Sequence, residues 1–356
     1  MKSYFIETIL LVIIVSPSVA IVTPPRPPPR LYVMGDSLVD VGNNNYLQDP
    51  APKANFPFNG IDYPGNVSTG RFCNGYLGSD YIAMYMGYSQ SPPPYLSITD
   101  ESQTMKGINF ASAGSGILNS TGEGTLSLAT QVMYFQEAAR NLSRRVGNLS
   151  AEKSLSQSIF YISTGSNDIF AYFFASQNET TNNQFIATLV NNFTLHLTKL
   201  YNSGARKVVI LSTAKIGCIA FIRSLLFPSL CGDCSEELNN LSIQFKNETR
   251  AHLQRLRLRL PGFKYTFIDT YEMDSQLRSN AQQYGFTEMT NACCGTGRFN
   301  GEGPCTPNSN LCSNRRSYYS WDQYHSSEAV NKIVIKMAYF GSKNISPMNV
   351  EQLVNA

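Results

Sequence analysis

Charged side chains are scarce in this sequence of 356 residues, where Asp, Glu, Lys and Arg together make up 15% of the chain. Soluble domains usually contain roughly 25%. The formal net charge is only +3, and the basic residues are scattered except for a run at Arg250, Arg255, Arg257 and Arg259. A nucleic-acid surface needs basic side chains interleaved with aromatic ones, whereas a run of this kind usually forms a solvated helix face. We therefore expect no nucleic-acid partner.

Long apolar runs are absent as well. The apolar stretch from Ile9 to Val15 is far shorter than the roughly 20 residues that span a bilayer. Lys2 precedes it, and Ser18-Val19-Ala20 has the small-x-small pattern of a signal-peptidase site. We expect a signal peptide at residues 1–20, a Pro-rich extended lead-in at residues 21–30 and no transmembrane segment in the mature chain. A short buried helix is the poorer interpretation, because a proline tract follows.

Cysteine is present in an even number, and eight cysteines in a chain with a secretory leader favour disulfide bonds over free thiols. A metal site is the alternative, since Cys231 and Cys234 have the spacing of a zinc knuckle. However, Cys293 and Cys294 are adjacent, which suits tetrahedral zinc poorly, and no histidine stands at ligand spacing. We expect disulfide bonds, no metal ion and no other cofactor.

The sequence also contains nine Asn-x-Ser/Thr sequons. Such sequons accept glycans in secreted proteins, although some arise by chance in an asparagine-rich chain. The candidates are Asn66, Asn119, Asn141, Asn148, Asn178, Asn192, Asn240, Asn247 and Asn344. Together with the leader and the cysteines, they predict an extracellular protein.

Short apolar runs alternate with longer amphipathic segments. The predicted strands are Arg30 to Met34, Ile108 to Ala111, Ser158 to Ser163, Lys207 to Ser212 and Tyr265 to Asp269. The predicted helices are Gly75 to Met86, Leu126 to Arg145, Asn182 to Ser203, Ser235 to Leu260, Met273 to Tyr284 and Ser326 to Phe340. This alternation predicts an α/β fold with a parallel sheet covered on both faces. We expect one domain over residues 31–345, followed by a C-terminal tail at residues 346–356.

Small and polar residues follow the first three predicted strands. They are Gly35-Asp36-Ser37, then the segment 112–116, then Gly165-Ser166-Asn167-Asp168. Each alone is an ordinary turn or helix cap. However, the carboxyl ends of parallel strands meet at one edge of the sheet, where ligands bind. The three segments are therefore expected to converge on one site.

Acyl transfer needs a nucleophile, a base, a carboxylate to orient the base and donors for the oxyanion. Ser37, His325 and Asp322 supply the first three. The backbone N–H of Gly114 and the side-chain amide of Asn167 supply donors. Asp322 is three residues before His325, so on a helical turn it would reach the imidazole and fix its tautomer.

The Gly-x-Ser-x-Gly elbow of α/β-hydrolases is absent, which leaves a different scaffold for the triad. The chain resembles the plant-type GDSL esterases/lipases of the SGNH-hydrolase superfamily. The resemblance covers nearly the whole mature chain and rests on seven blocks in order. They lie at residues 35–45, 70–75, 109–116, 165–168, 216–218, 293–295 and 322–325, and include Gly35-Asp36-Ser37-Leu38 and Asp322-Gln323-Tyr324-His325.

This resemblance implies a three-layer α/β/α sandwich with a flavodoxin-like parallel sheet. It implies Ser37 as nucleophile, His325 as base, Asp322 as its partner, and an oxyanion hole of Gly114, Asn167 and the N–H of Ser37. The substrate would be a small-molecule or lipid ester, and the location the cell wall or apoplast.

The resemblance also bears on the cysteines. It implies that Cys293 and Cys294 bond Cys305 and Cys312 in an order left open. Cys218 would pair with Cys231 or Cys234, which leaves Cys73 as a possible free thiol.

Three departures from the family pattern stand out. Ala113-Gly114 replaces a common Gly-Gly pair, Ala214-Lys215 stands where a proline is usual, and Ser326 replaces the proline that commonly follows the base. None removes a catalytic atom, although Ser326 could loosen the loop that positions His325.

Other readings of the same residues remain open. An acyltransferase would use the same triad with an alcohol acceptor, and a secreted binding protein would keep the fold without turnover. A metal phosphoesterase would need clustered His and carboxylate ligands that the sequence lacks.

Two further groups of residues are candidates for a role in the site. His196 and His252 lie within predicted helices and are set aside. The aromatic patch of Phe170, Tyr172, Phe173 and Phe174 is expected to pack in the core, with an acyl pocket as the alternative.

Overall fold

The computed structural model describes residue 1 and residues 28–175, 179–229 and 232–356. The predicted signal peptide after Met1, most of the predicted lead-in, Asn178 and Cys231 lie outside the described residues.

A six-stranded sheet forms the centre of the molecule, with the strand order β10-β5-β4-β3-β1-β2. Its strands are β1 (Leu31–Gly35), β2 (Gly107–Asn109), β3 (Ile159–Ser163), β4 (Lys207–Leu211), β5 (Lys264–Ile268) and β10 (Ile345–Ser346). The pairs formed by β1 to β5 are all parallel, and β10 joins the edge antiparallel to β5. The order 2-1-3-4-5 within the parallel part is the flavodoxin-like arrangement, with its switch point between β1 and β3.

Four short strands lie outside this sheet, between β5 and the last long helix. They are β6 (Glu288–Ala292), β7 (Cys294–Gly295), β8 (Asn310–Leu311) and β9 (Tyr318–Ser320). β6 pairs with β9, and β7 pairs with β8. This small β region leads directly into the segment that carries His325.

Helices cover both faces of the sheet. They are α1 (Gly78–Tyr85), α2 (Leu128–Val146), α3 (Asn148–Gln157), α4 (Ser166–Phe174), α5 (Glu179–Asn202), α6 (Ala220–Leu225), α7 (Glu236–Arg259), α8 (Thr270–Ser279), α9 (Glu328–Phe340) and α10 (Val350–Asn355). None of the helices within the described part of the chain is both long and apolar enough to cross a membrane.

Alternate residues of each strand face opposite layers of helices, because side chains point to the two sides of a strand in turn. In β1, Tyr32 and Met34 pack into the core shared with α2, α5 and α7. Leu31 and Val33 pack into the core shared with α1, α9 and α10. A strand buried on both faces reads as a continuous apolar run. The predicted α/β sandwich is therefore confirmed.

The C-terminal segment differs from the tail that we expected at residues 346–356. Ser346 pairs with Phe267 of β5 at the sheet edge, and Val350 and Leu353 of α10 are fully buried. Two apolar residues three positions apart are enough to seat one helical turn on the core. Such a turn is too short for periodicity to predict.

Three disulfide bonds are present among the described residues: Cys218–Cys234, Cys293–Cys312 and Cys294–Cys305. Of the two partners left open for Cys218, the structure has Cys234. Cys73 is a buried free thiol. The bonds at Cys293 and Cys294 close the β region that precedes His325.

The sequons differ in exposure. Among the described candidates, Asn66, Asn119, Asn148, Asn240 and Asn247 are exposed, whereas Asn141, Asn192 and Asn344 are half-buried. An exposed asparagine is accessible to a glycan. Glycosylation stays a prediction at all nine positions.

Candidate active site

Ser37 lies two residues beyond the end of β1. Gly35 has a φ of +141°, and a Cβ at this position would overlap the carbonyl oxygen of Ser163 at the end of β3. Only glycine allows this close approach. The N–H of Asp36 then donates to the same carbonyl at 3.1 Å. The turn that carries Ser37 is thus fixed to β3 at the switch point of the sheet.

Ser37, His325 and Asp322 come together as the sequence predicted. Nε2 of His325 lies 2.8 Å from Oγ of Ser37. Nδ1 of the same ring lies 2.8 Å and 2.9 Å from the two carboxylate oxygens of Asp322. Because the carboxylate can only accept, it holds Nδ1 protonated and leaves Nε2 free to accept from the hydroxyl. This is the geometry of a nucleophile, a base and its orienting group.

The loop between β9 and α9 carries both His325 and Asp322, and it is not helical. Oδ1 of Asp322 accepts hydrogen bonds from the backbone N–H groups of Tyr324 and His325, each at 2.9 Å. The expected helical turn at these residues is therefore wrong. A side-chain-capped turn brings Asp322 and His325 together instead, since aspartate readily binds the backbone two or three residues ahead.

Trp321 fixes this loop to the interior of the protein. Its side chain is fully buried, its indole N–H donates to Asn59 at 3.0 Å, and its backbone N–H donates to the carbonyl of His325 at 2.7 Å. Ser326, which replaces a common proline, thus follows a loop that is already fixed by other contacts.

Three N–H donors face the same site. Within the described residues, the backbone N–H groups of Ser37 and Gly114 donate no hydrogen bond. Nδ2 of Asn167 donates one of its two hydrogens to the carbonyl of Ser115 at 2.9 Å, which leaves the second hydrogen available. All three residues line one pocket. Donors that are held in place without a partner are what an oxyanion hole requires.

The loop that carries Gly114 is held by polar side chains whose role sequence reasoning did not identify. Oδ2 of Asp40 accepts from the N–H of Ala113 at 3.0 Å, and Nδ2 of Asn44 donates to the carbonyl of Ala113 at 2.9 Å. Asn43 donates to the carbonyl of Ala111 at 2.8 Å. All three side chains are buried. They lie in the first block of the family resemblance, and this contact network gives that block a physical reason.

Sequence reasoning also did not identify the role of two more polar residues. Gln131 of α2 is fully buried; it accepts from the N–H of Gly35 at 2.8 Å and donates to its carbonyl at 2.9 Å. Asp168 accepts from the N–H groups of Ile117 and Leu118. A glutamine on the apolar stripe of α2 was the available signal, since a buried amide needs partners.

Asp36 is an unusual neighbour for the nucleophile. Its side chain is buried, and Oδ1 accepts from the N–H of Leu38 at 3.0 Å. Oδ2 has no hydrogen-bond partner among the described residues. Burial raises the pKa of Asp36 to about 7, although the nearby His325 opposes the shift. A carboxylate with one unpaired oxygen out of water favours its protonated form.

The pocket beside Ser37 has a volume of about 380 Å³. Its apolar lining includes Leu38, Phe72, Phe170, Ile219 and Tyr324. A small, mostly apolar cavity with a few convergent polar groups is typical of a site for a small organic ligand.

The four residues of the predicted aromatic patch lie in three environments. Phe170 lines the pocket. Tyr172 stacks on Phe185 with ring centroids 3.9 Å apart, and Phe173 packs against the core. Phe174 is 48% exposed. The pocket hypothesis thus fits Phe170, core packing fits Tyr172 and Phe173, and Phe174 fits neither.

The remaining histidines lie outside the pocket. His196 of α5 is buried, which lowers its pKa to about 4, and His252 of α7 contacts the hydroxyl of Thr194 at 2.9 Å. Across the described ranges, no three side chains of His, Cys, Asp or Glu are grouped to hold a metal ion.

Comparison with known proteins identifies the family of this chain. The model of the GDSL-like lipase/acylhydrolase family matches residues 31–337. The chain belongs to this family. GDSL esterase/lipase At5g55050 of Arabidopsis thaliana is 36% identical over 342 residues, which cover 92% of this chain and 90% of that protein. GDSL esterase/lipase 7 of the same plant is 32% identical, covering 91% and 92%.

The family is one of carboxylic ester hydrolases, and the predicted resemblance is confirmed. Enzymes of this kind act on small-molecule or lipid esters. The match includes all of the residues that converge at the pocket, from the Ser37 turn to His325.

Proposed function

We propose that this family member is a secreted serine esterase or lipase, which hydrolyses carboxylic esters through an acyl-enzyme intermediate. The observation that carries the proposal is the hydrogen-bonded series from Asp322 to Nδ1 of His325 and from Nε2 to Oγ of Ser37, with distances of 2.8 Å at both steps. All three residues line a pocket that also contains N–H donors without a hydrogen-bond partner among the described residues.

In the acylation step, Nε2 of His325 takes the hydroxyl proton while Oγ of Ser37 attacks the ester carbonyl. Asp322 stabilises the imidazolium that forms. The negative charge on the former carbonyl oxygen is bound by the N–H groups of Ser37 and Gly114 and by the amide of Asn167. His325 then donates its proton to the leaving alcohol, and the acyl group stays on Ser37.

In the deacylation step, water takes the place of the alcohol. His325 removes a proton from the water as it attacks the acyl carbon, and the same three donors bind the second oxyanion. Collapse of this intermediate releases the carboxylic acid and returns the proton to Oγ of Ser37. His325 thus acts first as a base and then as an acid in each step, while Asp322 and the three donors keep the same role throughout.

Secretion is supported by independent features. The three disulfide bonds are expected in an oxidising compartment. Residues 1–20 have the pattern of a signal peptide, and five of the sequons are exposed. Expression in a secreting plant cell tests this part: we expect the protein in the medium, with an N-terminus near Ile21 and a mass that falls on deglycosylation. Retention of the full-length, unglycosylated chain inside the cell would contradict it.

Hydrolysis of p-nitrophenyl butyrate tests the catalytic part. Ser37→Ala should abolish turnover while leaving the thermal unfolding transition in place. Ser166→Ala is a suitable control, because Ser166 lines the same pocket and has no part in the mechanism. If Ser37→Ala and the wild type turn over the ester equally, the proposal fails.

A further inference from the structure

We propose that a track of four aromatic side chains, Phe170, Tyr324, Phe221 and Phe174, binds a long unbranched hydrocarbon chain of the ester substrate. The inference rests on the proposed function of the same site and names its substrate class. The track begins in the pocket, where Phe170 and Tyr324 are both part of the lining. It ends at the surface with Phe174.

The four rings form an unbroken series of contacts. The ring centroids of Phe170 and Tyr324 are 6.3 Å apart. Those of Tyr324 and Phe221 are 4.9 Å apart, and those of Phe221 and Phe174 are 6.1 Å apart. All three distances fall within the range of packed aromatic pairs. The rings therefore present one continuous apolar surface that extends beyond the pocket.

Two of the four rings are partly exposed to solvent. Tyr324 is 42% exposed and Phe174 is 48% exposed. Scattered exposed apolar residues need no explanation, but rings in mutual contact that continue an active-site pocket mark a ligand surface. The occupant that fits is one that starts at the reacting carbonyl and is apolar along its length.

The track is held rigidly to the catalytic loop. The backbone N–H of Phe221 donates to the carbonyl of Gln323 at 3.0 Å, between Asp322 and Tyr324. The disulfide Cys218–Cys234 closes the loop that contains α6, and Nε of Arg223 donates to the carbonyl of Cys218 at 2.9 Å. A binding surface that is ordered before the ligand arrives loses less entropy on binding.

Chain-length series of esters test the proposal directly. We expect kcat/KM of the wild type to rise from p-nitrophenyl acetate to the octanoate and decanoate, by up to about fourfold for each methylene that the track covers. A second series keeps the acetyl group and lengthens the alcohol, from ethyl to decyl acetate. If kcat/KM rises with chain length in the first series, the track binds the acyl chain. If it rises in the second series, the track binds the alcohol.

Variants at Phe174 separate the track from the triad. Phe174→Ala should lower kcat/KM for the preferred decyl or decanoyl ester about tenfold, and Phe174→Glu should lower it further, while p-nitrophenyl acetate stays within about twofold of the wild type. Because Phe174 is half exposed, both variants should fold, and hydrolysis of the acetate verifies this. Phe221→Ala should have the same selective effect from the middle of the track.

Phe340 offers a matched control. It is an exposed aromatic residue at 50%, and it lies at the end of α9 beside the amino-terminal end of β4, on the opposite edge of the sheet. Phe340→Ala and Phe340→Glu should leave both chain-length series unchanged. The proposal is overturned if kcat/KM rises with chain length in neither series. It is also overturned if the Phe174 variants keep the wild-type dependence on chain length. If the wild type and Ser37→Ala hydrolyse p-nitrophenyl acetate equally, the result contradicts the proposed function and not the track.

Discussion

His325 and Ser37 are separated by 288 positions in the chain, yet Nε2 of His325 lies 2.8 Å from Oγ of Ser37. The contact joins the turn after β1 to the loop before α9. It depends on two fixed points: the close approach of Gly35 to Ser163, and the turn that Asp322 caps.

The proposed mechanism gives Asp322 a chemical role beside its structural one, and one substitution can separate the two. Asp322→Asn keeps a side-chain oxygen that can accept from the N–H groups of Tyr324 and His325, but it cannot hold Nδ1 protonated in the same way. We expect kcat for p-nitrophenyl butyrate to fall on the order of 10³- to 10⁴-fold with little change in the melting temperature. Asp322→Ala should lower both kcat and the melting temperature. Near-normal kcat in the asparagine variant would contradict the assigned role.

Asn167 should contribute to the oxyanion hole through its free amide hydrogen. Asn167→Ala removes this donor and should lower kcat on the order of 100-fold, with a smaller change in KM, because the charge develops only in the transition state. Asn167→Asp has the same shape but no amide donor, so it should not restore the rate. Steady-state kinetics on a short ester checks both. A rise in KM alone would show that Asn167 binds the ground state instead.

Asn44 should act on the rate only through the position of Gly114. Its amide donates to the carbonyls of Ala113 and Pro52, and its oxygen accepts from Ser112. Asn44→Ala leaves the buried carbonyl of Ala113 without this donor and should cost about 1–3 kcal/mol of unfolding free energy. We also expect a lower kcat, measured at a temperature where the variant is folded. Asn183→Ala, at an exposed position of α5, is the comparison and should keep both the stability and the rate. Full stability in the Asn44 variant would contradict the network.

Asp36 should make stability depend on pH. Its pKa is raised by burial from 3.8 to about 7. A carboxyl of this kind stabilises the folded state below its unfolded pKa and loses this contribution as the pH rises through its folded pKa. Asp36→Asn stays neutral, so it should gain unfolding free energy relative to the wild type at pH 8 but not at pH 4.

Urea unfolding at both pH values checks the Asp36 prediction. Asp233→Asn, at an exposed aspartate, should show no such pH dependence. An Asp36→Asn effect of equal size at pH 4 and pH 8 would mean that its carboxyl is ionised throughout this range.

Much of the fold was predictable because strands buried on both faces are continuous apolar runs. The predicted strand Lys207 to Ser212, for example, differs from β4 by one residue. The helix predicted at Met273 to Tyr284 was less accurate, since α8 runs from Thr270 to Ser279. Asp269 caps α8 by accepting from the N–H of Glu272, whereas the sequence pattern predicts a strand that ends at Asp269.

The contacts that shape the site were less predictable. The triad residues could be chosen from chemistry, because few histidines compete and the strand ends must converge. In contrast, the partner of Asn44 lies 69 positions away in Ala113, and no local pattern specifies such a pair. Helix α4 has no counterpart among the predicted helices, although a helix cap was one interpretation of Asn167 and Asp168, which lie in its first turn.

The most direct test of the central claim is covalent labelling of Ser37. The protein is treated with a fluorophosphonate at neutral pH, and intact mass and peptide mapping locate the adduct. We expect one phosphonyl group on Oγ of Ser37, and strongly slowed labelling in His325→Ala, because the hydroxyl loses its base. A folded, ester-hydrolysing protein that carries no adduct at Ser37, or carries it on another serine, would contradict the claim.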